Sequence, residues 1–168
     1  DALPISQSKW IGSEHCQSTP NTWLCFRKTV HLPGVPGEMI ANIAVDSKYW
    51  LWINGKMVVF EGGLKRGPAP GATYYDQVDI APYLEKGENT IALLVWHFGK
   101  NGFSHVNSGT AALLFCAQEA NLSIVSDKSW QCSVYRAYQN TEAPFPNYRL
   151  SESNIRFDAR KELAGWNM

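Results

Sequence analysis

Residues 45–56, V-D-S-K-Y-W-L-W-I-N-G-K, constrain the fold more tightly than any other stretch of the chain. Asn54-Gly55 supplies two residues that tolerate positive φ, which is what a type I′ turn between twisted antiparallel strands requires. Before the turn, Tyr49, Leu51 and Ile53 share one face of a strand and Trp50 and Trp52 the other, and residues 57–60 return as the partner strand. Neither side chain of the turn is a strong nucleophile or base, so the hairpin reads as structure rather than as a site.

What surrounds it is bounded by composition. The 168 residues fit one domain with a sizeable core. Fifteen basic and fifteen acidic residues leave no electrostatic footprint for a nucleic acid or an anionic membrane. No apolar run approaches the roughly 20 residues that span a bilayer. The first ten residues show no basic segment followed by an apolar one, and the chain is expected to be soluble, with any signal peptide already removed. Cys16, Cys25, Cys116 and Cys132 form no C-x-x-C pair and have no histidine at ligand spacing, which argues against zinc; Cys116, inside an apolar run, reads as a free buried thiol. Seven each of Trp, Tyr and Phe favour strands and also supply flat faces of the kind that stack on sugar rings.

Along the chain, residues 22–32 read as a strand ending at Pro33-Gly34, and residues 39–46 alternate with period two as a second, half-buried strand. Residues 61–73 hold four Gly and two Pro and form a long loop. Residues 74–80 read as a strand, with Asp79 capping one helical turn at 81–84 that tolerates Pro82. Residues 90–98 have the continuous apolar character of a central strand buried on both faces. A second loop, 99–109, precedes strands at 110–117 and 122–125; after Trp130 the pattern weakens, and residues 155–160 add a last short strand. No stretch keeps a 3.6-residue period with caps, so crossover helices are missing and the fold class is an all-β antiparallel sandwich of jelly-roll type.

Catalytic constellations are thin. Asp76 and Asp79 have odd spacing and point to opposite faces of a strand, which disfavours a paired-carboxylate site. His15, His31, His97 and His105 are scattered, and no G-x-S-x-G elbow, H-x-x-x-H or phosphate-binding loop occurs. The two long loops carry the remaining candidates for ligand contact: Lys65, Arg66, Tyr74, Tyr75 and Asp76 from the first, Trp96, His97, Lys100 and His105 around the second. Such a mixture suits a neutral sugar, whose hydroxyls take directional hydrogen bonds while its C–H face lies on an aromatic ring. Loops of this composition also form domain interfaces.

The segments W-I (10–11), F-R-K-T-V-H-L (26–32), A-V-D-S-K-Y-W-L-W-I-N-G-K (44–56), K-R-G-P (65–68), 74–92 and F-D-A-R-K-E-L-A-G-W (157–166) together resemble the N-terminal β-sandwich of bacterial α-L-rhamnosidases of glycoside hydrolase family 78. D-S-x-x-x-x-W-x-N-G and D-I-x-x-Y-L-x-x-G-x-N also look like the galactose-binding-like sandwiches attached to β-galactosidases and other glycosidases. The loop 96–105 departs from the more common rhamnosidase pattern. The resemblance implies a single accessory domain over 1–168, with 1–21 as lead-in and 154–168 as the start of a linker to a following domain. The catalytic acid and base would lie on an (α/α)₆ barrel elsewhere in a longer periplasmic or extracellular polypeptide. It implies no catalytic residue and no cofactor here, structural calcium being known among related sandwiches. The expected partners are the following domains and rhamnose-containing glycans. The alternatives are an autonomous carbohydrate-binding module, or a protein-interaction domain using Trp50 and Trp52.

Overall fold

A computed structural model describes residues 7–16, 18–64, 72–103, 105–141, 150 and 152–168. Eleven strands are found among them: β1 (Thr22–Leu32), β2 (Ile40–Asp46), β3 (Lys48–Ile53), β4 (Lys56–Gly63), β5 (Asp76–Asp79), β6 (Gly87–His97), β7 (Ala112–Glu119), β8 (Leu122–Val125), β9 (Gln131–Val134), β10 (Tyr138–Asn140) and β11 (Ile155–Phe157). They form a five-stranded sheet β4-β3-β6-β1-β9, a four-stranded sheet β5-β2-β7-β8 and a small β10-β11 pair. The pairings within these sheets are antiparallel. The chain is a β-sandwich.

Strand alternation explains two apolar layers. Between the sheets, Leu24 and Phe26 of β1, Tyr49, Leu51 and Ile53 of β3, and Ile91, Leu93 and Val95 of β6 face Ala41, Ile43 and Val45 of β2 and Leu113, Phe115 and Ala117 of β7. The opposite faces of the same strands, Trp23, Cys25, Leu94, Trp96 and Phe98, form a second layer with Tyr135 and Ala137, against which Trp50, Trp52, Tyr138, Ile155 and Trp166 pack. Strand β6 is therefore covered on both sides, which is why its sequence from Ile91 to Trp96 is an unbroken apolar run. Residues 154–168 lie back on this outer layer: Trp166 meets Trp52 edge-on at 5.4 Å, and the Gly55 amide donates to the Asn167 carbonyl.

The Asn54-Gly55 hairpin forms between β3 and β4, with φ of 51° and 75° at the two turn residues. Asn54 does more than turn. Its Oδ1 accepts the Thr90 amide at 2.9 Å, and its Nδ2 donates to the Tyr83 carbonyl at 3.1 Å and to Asn89 Oδ1 at 2.9 Å. The hairpin is thereby tied to the start of β6 and to the 3-10 turn Ala81–Tyr83. Asp79 braces that turn, accepting the Ala81 amide, and also the Met39 amide, on one oxygen at 3.0 Å.

Some expectations need correction. Strand β5 begins at Asp76, not at residue 74, because Tyr74 and Tyr75 precede the β2 pairing and are exposed. Strand β2, expected to be half-buried, is covered almost throughout because it is an inner strand of its sheet. Strands β9 and β10 lie where the pattern had weakened: β9 is a polar edge strand, and β10 pairs with β11 rather than with either large sheet.

Replacing Asn54 with Ala should cost about 2–4 kcal/mol in urea unfolding, combining a left-handed Ala with three lost hydrogen bonds. Asn54→Gly should cost clearly less, since glycine keeps the turn; equal costs would show that the side-chain bonds alone matter.

Candidate functional site

Both long loops leave from one end of the sandwich. There Thr22 of β1 faces His97 of β6, Lys48 of β3 faces Trp96 and Gly63, and Asp46 of β2 faces Ala112 of β7. At this end the chain passes from the four-stranded sheet to the five-stranded one through a single residue, Ser47, after a cis Asp46-Ser47 peptide. Ser47 is stitched into the second sheet by its own backbone: its amide donates to the Trp96 carbonyl, and its carbonyl accepts the Leu64 amide, each at 3.0 Å.

Four polar side chains are buried at this corner: Asp46, Ser47, His97 and His105. Asp46 Oδ1 receives the Ser47 hydroxyl at 2.7 Å and His97 Nδ1 at 3.2 Å, with His105 Nε2 at 3.3 Å; Oδ2 accepts the Ser108 amide at 2.6 Å. Ser47 Oγ in turn accepts the Phe98 amide at 3.1 Å and stands 3.1 Å from His105 Nε2. These partners place the ring protons on His97 Nδ1 and His105 Nε2, leaving His97 Nε2 and His105 Nδ1 as buried nitrogens without a hydrogen-bond partner. Burial alone would push the Asp46 carboxyl up, but the hydrogen bonds from His105, His97 and Ser108 outweigh it and hold the carboxyl well below the usual carboxylate range.

A serine, a histidine and an aspartate within hydrogen-bond reach invite comparison with a nucleophilic triad. The geometry is wrong for one. In a triad, histidine uses one ring nitrogen for the nucleophile and the other for the carboxylate. Here the same His105 nitrogen meets both, Asp46 bonds the serine directly, and Ser47 is fully buried. The arrangement can satisfy donors and anchor a loop; it cannot pass a proton from Ser47 to a base and present the oxygen to a substrate.

The anchored loop has its own bracing: Asn101 Oδ1 accepts the Asn107 amide, Asn107 Oδ1 accepts the Gly109 amide, and the Gly102 amide donates to the His105 carbonyl. Its crown carries Phe103, 72% exposed, and Val106. The ligand residues expected from sequence thus separate. His97 and His105 come together, but on a shared carboxylate inside the protein. Trp96 is buried in a stack in which Trp23 lies 4.4 Å from it and 4.0 Å from Tyr138, and its Nε1 donates to Asn21 Oδ1 at 2.7 Å. Asp76 accepts the Tyr49 hydroxyl at 3.1 Å and the Gly63 amide at 2.8 Å, while burial, then Asp76 itself, push the Tyr49 hydroxyl up. Tyr74, Tyr75 and Lys100 lie on the surface or close to it, and Lys65 and Arg66 fall outside the described residues. Sequence reasoning missed Asp46 and Ser47 as site-builders, although they open the D-S-x-x-x-x-W-x-N-G motif, because their partners lie 51 to 62 residues away.

Among the described residues, no three His, Cys, Asp or Glu side chains are grouped to hold a metal ion. Cys25 is buried, and that burial, with the Cys132 charge as a smaller cause, pushes its thiol up to about 12. No helix of the described residues is long and apolar enough to cross a membrane.

The corner predicts an acid dependence with a definite sign. An unfolded Asp titrates near about 3.9, and Asp46 titrates lower when folded, so its stabilisation is complete above that range and is lost as the pH falls through the folded value. Stability measured by urea unfolding should decline progressively below about pH 5. Asp46→Asn should lose about 2–3 kcal/mol at neutral pH and show a shallower acid decline; an unchanged acid limb would contradict the assignment.

No protein-family profile and no curated protein matches the chain. Solved structures do. A GH78 family rhamnosidase of Bacillus sp. GL1 matches with a TM-score of 0.84 and 28% identity over 96% of this chain and 17% of its own. An α-L-rhamnosidase from Aspergillus terreus matches at 0.68 and 20% identity, over 97% of this chain and 20% of its own. A lectin from Pleurotus ostreatus in complex with GalNAc shares the fold at 0.54 and 17% identity, over 95% of this chain and 45% of its own. This chain spans about a fifth of the rhamnosidases it matches. It is a small domain similar in fold, and to the Bacillus enzyme also in sequence, to one part of a GH78 α-L-rhamnosidase.

Proposed function

We propose that this chain is a non-catalytic accessory domain of an α-L-rhamnosidase-type glycoside hydrolase, which supports the catalytic module of the same polypeptide and contacts glycans. The observation that carries the proposal is the match to the Bacillus GH78 enzyme, which takes in 96% of this chain and only 17% of that one. The corner geometry supports it, since among the described residues the Ser47, His105 and Asp46 cluster is a buried anchor. In this reading the domain works outside the cytoplasm, in the periplasm or the extracellular space, and without a cofactor.

A second reading, an autonomous carbohydrate-binding module, is favoured by one observation, the fold shared with a lectin solved with GalNAc. A protein-interaction role for Trp50 and Trp52 has less support, because Trp50 packs with Trp23 at 5.6 Å and Phe60 at 6.3 Å, and Trp52 is met by Trp166.

Incubated with an aryl α-L-rhamnoside, the chain should release the phenol no faster than buffer does. Release above that rate, abolished by Ser47→Ala, would overturn the non-catalytic reading.

A further inference from the structure

At the edge of the five-stranded sheet, the pairing of β3 with β4 slips twice, between Tyr49 and Leu51 and again between Leu51 and Trp52. Tyr49 faces Gly62 and Leu51 faces Val59, so Phe60 and Glu61 together oppose Trp50. Such a bulge re-aims side chains locally. Glu61 sits within it at a φ of 56°, a left-handed conformation that favours glycine. Its neighbour Gly62 shows that glycine is used here where backbone must approach closely, since a Cβ there would meet the Tyr49 ring at 2.4 Å. The backbone here thus favours glycine, and what the glutamate adds is its carboxylate.

The bulge places Glu61 Oε2 3.7 Å from Lys48 Nζ, and Glu152 Oε1 lies 3.5 Å from the same nitrogen. Lys48 is only 13% exposed, with its ammonium 6.0 Å from the ring centroids of both Trp96 and Phe98. Both ion pairs are longer than the roughly 2.7–2.9 Å of a charge-assisted hydrogen bond, so neither carboxylate closes a direct hydrogen bond on the ammonium. Beside them, Phe60 is 69% exposed and stands edge-on to Trp50.

We infer that Lys48, Glu61, Glu152 and Phe60 form a binding site for a neutral sugar; this rests on the glycan-contacting part of the reading above. Two carboxylates accept from neighbouring hydroxyls, the ammonium donates to a hydroxyl or ring oxygen, and the phenyl face takes the C–H face of the ring. Two carboxylates against one ammonium leave the site net negative, so it selects neutral sugars and repels uronates.

The test is a titration of the ¹⁵N-labelled chain with L-rhamnose, D-galactose and D-galacturonate, followed by amide shifts. A neutral sugar should shift residues 48–52 and 59–62 while galacturonate shifts them far less. Phe60→Ala and Glu61→Gln should each weaken binding about tenfold, the loss of one good contact. Glu61→Gly should abolish binding yet raise the unfolding midpoint, a pairing that a merely structural glutamate would not produce. Shifts confined to the 99–109 loop, native binding by Phe60→Ala and Glu61→Gln, or galacturonate bound as tightly as neutral sugars would overturn the site. None of these outcomes bears on the rhamnoside-hydrolysis assay, which tests the accessory reading separately.

Discussion

One carboxylate holds the loop-bearing end of this sandwich together. The chain must pass from one sheet to the other through Ser47 alone, and a loop of about a dozen residues must leave and return at the same place. Both manoeuvres bury polar backbone, and an unsatisfied buried donor costs about 1–3 kcal/mol. Asp46 takes the Ser108 amide, the Ser47 hydroxyl and the His97 ring, while Ser47 takes the Phe98 amide. The loop therefore has a foot that belongs to the core and a crown that belongs to the surface. That division decides which of its residues can meet a ligand.

The rest of the stability comes from area. A buried Leu, Ile or Phe contributes about 1.5–3 kcal/mol, and aromatic pairs add about 0.5–1.5 kcal/mol each. The central strands of the five-stranded sheet are buried on both faces, inside by the inter-sheet core and outside by the Trp23, Trp96 and Tyr138 stack with the C-terminal residues over it. Residues after Trp130 are partly polar, yet Tyr135, Tyr138, Ile155 and Trp166 among them cover tryptophans that would otherwise form an exposed apolar face. This covering leaves the β3-β4 edge, with Lys48, Phe60 and Glu61, as the aromatic surface of that sheet still open to solvent beside charge.

Much of the fold was legible because local pattern and tertiary role agree. Strand β1 and strand β8 coincide with their sequence readings, β6 is the central strand its apolar run implied, and Asn54-Gly55 turns the hairpin. Strands β9 and β10 were not legible. An edge strand with exposed Gln131, Cys132 and Ser133 has no alternation to read, and β10 and β11 are too far apart in sequence to carry a tight-turn hairpin signal. The site was less legible still. Trp96, His97 and His105 have the residue types of a sugar site, but burial depends on partners such as Asp46 and Asn21 that lie 51 to 75 residues off in sequence. Nor does F-E-G-G announce a bulge, because register slips are set by both strands at once.

The accessory reading and the anchored loop meet in one physical claim: among the described residues, this end of the domain is built as core up to its last turn and offers its crown and the adjoining sheet edge. Hydrogen exchange tests this directly. If Asp46 and Ser47 anchor the loop, the Phe98 and Ser108 amides exchange as slowly as those of central β6, near the global unfolding limit. Exchange of these two amides at the fast rate of an exposed loop, with β6 still protected, would contradict the account.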